Sequence, residues 1–344
     1  MLLKHNKSKG MKGLLNNYKA VEFFGSEPSW AFLFNKFSEL RLKFAKKQQH
    51  PFHVLTLSKL PFFAAMLAGC LVILITIKIQ NVTDAGKFLF IGNMLIQPFY
   101  NADPLLTDYS DQVIDSKLLV CIILVLVLLW SWGRELINEA TFKGFHSINV
   151  QTGLMYGMML FLASEAMLFF PFFWSFFHAS LSPSIVTGSD WPPEGIEALD
   201  PFMLPLVNTA VLLASGVALV AAHRAIIKGK RSVVLEGLFV AISLGILFSW
   251  LQYLEYGLTK YTIIDGIFGS TFFILTGLHG FHVIVGTCLL ILAYWRTAQN
   301  HFTTFHHIFF ELAAWYWHFV DVVWLFVFAF IYCWGADLGL GGTL

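Results

Sequence analysis

Trp315-Tyr316-Trp317-His318-Phe319-Val320-Asp321-Val322-Val323-Trp324 sets a histidine and an aspartate three residues apart inside the apolar run from Ile308 to Trp334. About 20 such residues cross a bilayer as a helix, so the stretch reads as a membrane span carrying ionisable groups. At about 100° per residue, Glu311, Trp315 and His318 share one helical face, with Asp321 beside them. A charge at the bilayer centre costs roughly 3 kcal/mol on insertion scales and several times that in simulations. The strip therefore faces protein, water or headgroups, and it reads best as a polar seam fixing the last helix against its neighbours.

The rest of the chain has the same character. Of 344 residues, 57% are hydrophobic, 17% aromatic and 12% charged, and the mean hydropathy is +0.68. That leaves too little polar surface for a water-soluble globule of this length. The expected fold is all-α and polytopic, with seven spans at Leu60 to Ile79, Lys117 to Gly133, Leu154 to His178, Leu204 to Ile227, Val233 to Tyr256, Ile267 to Trp295 and Ile308 to Trp334. Strand alternation is absent, which argues against a β-barrel. The organisation predicted is a basic extension over 1–49, a two-helix group over 50–133 with a long connection inserted at 80–116, a connection over 134–153, a five-helix bundle over 154–335 and a short tail over 336–344.

Net charge is +1, but the signal lies in its separation. Residues 1–50 hold ten Lys/Arg against three Glu, and Arg224, Lys228, Lys230 and Arg231 follow the fourth span. Asp84, Asp103, Asp108, Asp111 and Asp115 follow the first span, and Asp190, Glu194, Glu197 and Asp200 follow the third. The positive-inside rule places the N-terminus on the matrix or cytoplasmic side and, across seven spans, the C-terminus on the other. Nucleic-acid binding is not indicated. No apolar core and cleavage site open the chain as in a secretory signal. Cys70, Cys121, Cys288 and Cys333 fall singly in different spans without metal or disulfide spacing.

Glu165 is the leading single candidate. It sits in an apolar run with no basic residue within two turns on its own helix; burial there makes it a proton-exchanging group or a buried hydrogen-bond donor, and the sequence leaves both open. A second group gathers at basic-side span ends: Arg134, Glu135, Glu139, Lys143 and His146 after the second span, and Arg296, His301, His306, His307 and Glu311 before the seventh. With Trp130, Trp132, Trp295 and Trp315 nearby, these suit phosphate headgroups under an aromatic belt, or ordinary interfacial anchoring.

Gly269, Thr276, Gly280 and Thr287 predict a face of the sixth span where another helix approaches closely. His279 and His282, one turn apart beside it, read as hydrogen-bonded histidines ahead of metal or haem ligands. Arg224, Glu236, Gln252 and Glu255 read as interhelical ties. No nucleotide fingerprint, nucleophile motif or distributed set of histidines appears, so neither a catalytic residue nor a metal site is expected.

Taken together, these segments resemble subunit III of cytochrome c oxidase, the haem-copper respiratory oxidase. The resemblance covers roughly residues 50–335. It runs through His50-Pro51-Phe52-His53, Arg134-Glu135, Ser164-Glu165, His178, Trp191-Pro192-Pro193 with Gly195, Leu212 to Gly216, Leu251-Gln252, Glu255-Tyr256, Asp265-Gly266, Gly269 to Phe273, Gly277, His279-Gly280, His282-Val283 and Ala313 to Trp324.

The resemblance implies seven helices in a two-plus-five V whose cleft holds phospholipid of cardiolipin, phosphatidylglycerol or phosphatidylethanolamine type. It implies no cofactor in the chain itself, haem and copper in partner subunits, packing against subunit I and other oxidase subunits, and contact with cytochrome c only through the whole complex. The expected location is the mitochondrial inner membrane, with the N-terminus in the matrix and the C-terminus in the intermembrane space. The expected role is to stabilise subunit I and support proton uptake and oxygen access. The family's carbodiimide-reactive glutamate falls on Glu165, and its headgroup ligands fall near Trp132, Arg134, Glu139, His146, Arg296, His301, His306 and His307. Asn138 and Ala140 stand where the family carries an arginine and a glycine. Residues 1–49 and 80–116 are additions expected to meet lineage-specific subunits. Two alternatives are a quinol-oxidase subunit III, whose relatives tend to lack the first helix pair, and an autonomous proton or solute carrier built on Glu165.

Overall fold

The computed structural model describes residues 52–53, 58–79, 104–185 and 188–335. The expectations for 1–49, for 80–103 and for the 336–344 tail lie outside the described residues. Seven long helices follow in order: α1 (Leu60–Ile79), α2 (Pro104–Ile137), α3 (Ile148–Leu181), α4 (Leu204–Ile227), α5 (Arg231–Leu258), α6 (Gly266–Ala298) and α7 (Ile308–Val327). π-helical segments extend α2 over Asn138–Phe142 and α7 over Phe328–Trp334. All seven helices contain stretches long and apolar enough to cross a membrane. Among the described residues there is no strand, only an isolated bridge between Thr303 and His306.

Apolar composition locates α1 and α4 to the residue and misses where α2 begins. The helix starts at Pro104, not near Lys117, so the Asp-rich end of the inserted connection is helical and continuous with the span. Hydropathy reports where hydrocarbon ends, whereas a helix satisfies its own backbone and continues into water. Proline at the first position suits such a start, since its missing N–H would be unpaired there anyway. The connection after α2 is also shorter than expected, because the π-helical segment and an early start of α3 leave Lys143 to Ser147 between them.

Among the described residues the chain divides into two compact units, one ending at Val150 and the other beginning at Gln151. In the first, Lys78 at the end of α1 pairs with Asp115 on α2 at 2.9 Å, and the Cys121 thiol lies 3.7 Å from the Leu67 carbonyl. Among the described side chains of these helices, most apolar ones are exposed.

The second unit, α3 to α7, has an apolar exterior and a core containing many polar groups. Val217, Phe239 and Phe281 are exposed, while Asn208, Ser215, Thr276 and His279 are completely buried. Lipid tails give apolar side chains no reason to turn inward, so close packing and interhelical hydrogen bonds hold the bundle. Trp317 is the clearest case. A Cβ added at Gly245 would lie 2.6 Å from its ring and one at Gly286 2.9 Å, so two glycines on α5 and α6 admit the indole. Its Nε1–H donates to Ser215 Oγ on α4 at 2.9 Å. The expected small-residue face of α6 holds at Thr276 and Thr287, both buried, with Thr287 Oγ1 3.0 Å from a Cβ added at Gly245 of α5. Gly280 departs from it: a Cβ there would meet nothing within 4 Å, and the α6 glycine that admits a side chain of another helix is Gly286, where the Trp317 ring of α7 enters.

Candidate functional site

Helix α3 turns one face inward. Gln151, Met158, Leu162, Glu165, Phe169 and Phe176 recur at helical spacing; Phe169 and Phe176 are buried, and Met158 and Leu162 pack on the core. In the middle of that face, Glu165 Oε2 lies 2.9 Å from His282 Nε2 on α6. The other ring nitrogen, Nδ1, is 2.7 Å from the Leu278 carbonyl. A carbonyl only accepts, so Nδ1 carries a proton, and Nε2 either accepts from a protonated Glu165 or donates as imidazolium to the carboxylate. In both states one proton sits between the two side chains. Phe169 and Tyr316 flank the imidazole, at ring separations of 5.0 and 6.3 Å. The second histidine of the pair, His279, directs Nε2 to the Val320 carbonyl at 3.2 Å.

The polar strip on α7 divides between two tasks. Asp321 is buried, with Oδ2 3.5 Å from His318 Nδ1. A Cβ at Gly216 of α4 would stand 2.6 Å from that same oxygen. Trp317 bonds Ser215, and Trp324 Nε1 donates to Thr209 Oγ1 at 2.9 Å; the α4–α7 seam therefore runs through the tryptophans as much as through the charges. Beside it lies a groove of about 760 Å³ whose lining includes Gly216, Asp321 and His318 and, at its basic end, Arg224, Lys228 and Lys230. Glu311, one turn below half-buried Trp315, turns to His307, whose Nε2 is 3.1 Å from its Oε1.

At the basic end of this unit Arg296 is buried, with its guanidinium 4.6 Å from the Phe302 ring centre and 5.0 Å from that of Phe309. Such cation–π contacts fasten the loop after α6 onto the start of α7. His301 packs edge-on to Trp295 at 5.5 Å. Burial and, second, the Arg296 charge hold its pKa down at about 4. His306 Nδ1 meets Gln151 Nε2 at 3.0 Å, and His307 Nδ1–H donates to the Thr303 carbonyl at 2.9 Å.

In the other unit, Glu139 lies within the π-helical extension of α2, 3.9 Å from His53 Nε2. His146 packs near the His53 ring at 6.1 Å. Arg134 and Trp132 are exposed one to two turns before that extension. A small pocket of about 340 Å³ is lined by Lys59, Glu135, Asn138, Glu139 and Lys143, among others.

Comparison with known proteins decides the family. The family model for cytochrome c oxidase subunit III matches residues 104–336. The chain belongs to the cytochrome c oxidase subunit III family. Cytochrome c oxidase subunit 3 of Antidorcas marsupialis is 52% identical over 208 residues, which is 60% of this chain and 80% of that protein. The subunit 3 of Oncorhynchus clarkii is 53% identical over 214 residues, 62% of this chain and 82% of its own. Glu165, the α7 strip and both Arg/His groups fall inside the stretch matched by the family model.

Several residues of this subunit III chain carry more than the sequence indicated. Asn208, Gln252, Glu255 and Tyr332 form one buried network. Asn208 Nδ2 reaches Gln252 Oε1 and Glu255 Oε2 at 3.4 Å, Gln252 Nε2 reaches Glu255 Oε1 at 3.2 Å, and the Tyr332 hydroxyl donates to the same oxygen. Gln252 and Glu255 were legible as interhelical ties, being polar in an apolar span. Asn208 carried the same signal near the start of α4. Tyr332 did not, because the π-helical segment that places it leaves no mark in composition. Arg231, legible only as part of a charge cluster, donates from Nε to the Thr297 carbonyl at 3.1 Å and from Nη2 to that of Ala298, closing the C-terminus of α6.

Proposed function

We propose that this chain is a non-redox core subunit of cytochrome c oxidase in the mitochondrial inner membrane. It stabilises subunit I, holds phospholipid at its basic-side ends and supports proton uptake and oxygen access while partner subunits carry the haem and copper. The match to the subunit III family over residues 104–336 carries the assignment, and relatives named for cytochrome c oxidase favour that branch over a quinol oxidase. The chain works within a complex whose other subunits meet cytochrome c and reduce oxygen.

The lipid role is supported by the residues at the basic ends. Arg134, Trp132, Glu139 and His146 in one unit, and Arg296, His301 and His306 in the other, offer cationic and hydrogen-bonding groups beside exposed aromatics. That is the chemistry of an anionic headgroup site. Arg296 acts from beneath, holding the loop that presents His301 and His306. The groove between α4 and α7, apolar along its length and basic at one end, fits acyl chains in the same way. His307 has both ring nitrogens engaged by Thr303 and Glu311 and stands apart from this set. Glu165 and His282 contribute a shared proton inside the bundle. Arg224, Arg231 and Arg296 at the ends of α4, α5 and α6 favour the matrix for that side, which supports a C-terminus in the intermembrane space and, across seven spans, an N-terminus in the matrix.

Affinity purification of the tagged chain in mild detergent tests this directly. The expected preparation contains haem- and copper-bearing subunits in equal amounts and oxidises reduced cytochrome c. Recovery of the chain alone, or of a complex oxidising only quinol, would overturn it.

A further inference from the structure

Glu255, one turn before the end of α5, is the most enclosed carboxylate among the described residues, 1% exposed. Three side chains aim donors at it. The Tyr332 hydroxyl and Gln252 Nε2 reach Oε1, the latter at 3.2 Å, and Asn208 Nδ2 reaches Oε2 at 3.4 Å. A ring of donors suits an ionised carboxylate, which only accepts. Yet no cation pairs with that charge among the described residues. The titratable groups in its field are the tyrosines Tyr332, Tyr256 and Tyr261. From α4 the group facing it is Asn208, and from α6 Thr276 takes the Tyr256 hydroxyl at 2.9 Å. Lys260, five residues on, pairs with Glu197 at the surface. Burying an unpaired charge is costly, and taking up a proton removes that cost.

Asn208 holds the acceptor that such a proton needs. It is completely buried, and its Oδ1 meets no donor among the described residues. The two ends of an amide have nearly the same shape, so a half-turn exchanges Oδ1 and Nδ2. With Glu255 ionised, Nδ2 toward Oε2 is the matched arrangement, and Oδ1 there would set acceptor against acceptor. With a proton on Oε2 the match reverses: Oδ1 accepts from the carboxyl O–H, and Nδ2 would set donor against donor. The half-turn gives up the 3.4 Å contact with Gln252 Oε1, a long hydrogen bond, and gives the idle Oδ1 a donor. Tyr332 and Gln252 stay on Oε1 in both states. A fixed tie between helices accounts for the three donors but leaves the acceptor of a fully buried amide unused, which is costly.

We propose that Glu255 and Asn208 form a proton-binding site at the acidic-side end of the α3–α7 bundle. One proton binds Glu255 Oε2 and the Asn208 amide turns to accept it; release of the proton turns the amide back. Asn208 lies one turn into α4 and Glu255 one turn from the end of α5, so the site exchanges with water on the side that carries Asp190, Glu194, Glu197 and Asp200. It is separate from Glu165 and stands at the opposite end of the bundle from Arg296 and His301. The inference goes beyond the function proposed above and does not depend on it.

Infrared difference spectra of the intact purified complex, recorded as the pH is lowered over the range in which it stays assembled, test this. The unmutated complex should gain a protonated-carboxyl C=O band together with a change in a side-chain amide band. Glu255→Gln, whose amide can donate to Asn208 Oδ1 as the protonated acid would, should assemble and lose both signals. Asn208→Ala should keep the carboxyl band and lose the amide change. Spectra of Glu255→Gln identical to those of the unmutated complex overturn the proposal, and so does loss of the carboxyl band alone in that variant. If Asn208→Ala fails to assemble, Glu255→Gln decides by itself.

Discussion

Glu165 on α3 and His282 on α6 are hydrogen-bonded across 2.9 Å, a polar fastening midway along a helix whose inward face there is otherwise apolar. The next fastening, Gln151 to His306, lies 14 residues earlier on nearly the same helical face, about 21 Å along the axis at 1.5 Å per residue. These two bonds fix both the depth and the rotation of α3.

Exchange of Glu165 separates the bond from its charge. Glu165→Gln keeps a group able to donate to His282 Nε2, so complex stability and subunit content should change little. Glu165→Ala leaves His282 Nε2 without a partner in an apolar wall, a loss of about 1–3 kcal/mol visible as a lower thermal midpoint of the purified complex. Equal midpoints for the two variants would contradict the fastening role. Proton-pumping stoichiometry in the Gln variant then reads out proton exchange separately, since Gln cannot titrate.

Gly245 and Gly286 form the slot for Trp317, with imagined Cβ atoms 2.6 and 2.9 Å from its ring. Gly245→Ala should push the indole off Ser215 and cost about 1–3 kcal/mol through overpacking. Gly280→Ala, on an open face of the same α6, should be nearly neutral. The paired thermal midpoints check this, and a Gly280→Ala loss equal to that of Gly245→Ala would contradict the packing described.

His301 gives the loop after α6 a pH dependence with a definite sign. Burial and the Arg296 charge lower its pKa to about 4, against about 6.5 in the unfolded chain. Below about 6.5 the unfolded state binds the proton first, so the contribution is complete above that pH and lost as pH falls toward about 4. Resistance of the purified complex to denaturation should drop across this window, and His301→Gln should flatten part of the drop. An unchanged profile in that variant would assign the acid lability to other groups.

Much of this fold was legible because a bilayer makes composition a direct record of position. Leu60 to Ile79 and Leu204 to Ile227 were readable to the residue, since both helices end where their apolar runs end. The start of α2 was not, because the aspartates before Lys117 continue a helix beyond the hydrocarbon. Nor were the two π-helical segments, which depend on local hydrogen-bond register. At the candidate site, Glu165 could be found as a carboxylate in an apolar run, but its partner could not. His279 and His282 are one turn apart and look alike in sequence; only the rotation of α6 against α3 sends His282 to Glu165 and His279 to the Val320 carbonyl. The Arg/His groups were visible as basic span ends, while the burial of Arg296 under Phe302 and Phe309 required the fold of the loop.

Phospholipid held at the basic-side Arg/His groups, as proposed above, should lengthen the time over which the oxidase stays active. Native mass spectrometry of the purified complex, comparing the unmutated chain with an Arg134→Gln, Arg296→Gln double variant, tests it most directly. The variant should lose bound phospholipid, with the subunits still present, initial turnover within about twofold (a change of about 0.4 kcal/mol) and a shortened active lifetime. Unchanged lipid content together with an unchanged lifetime would contradict it.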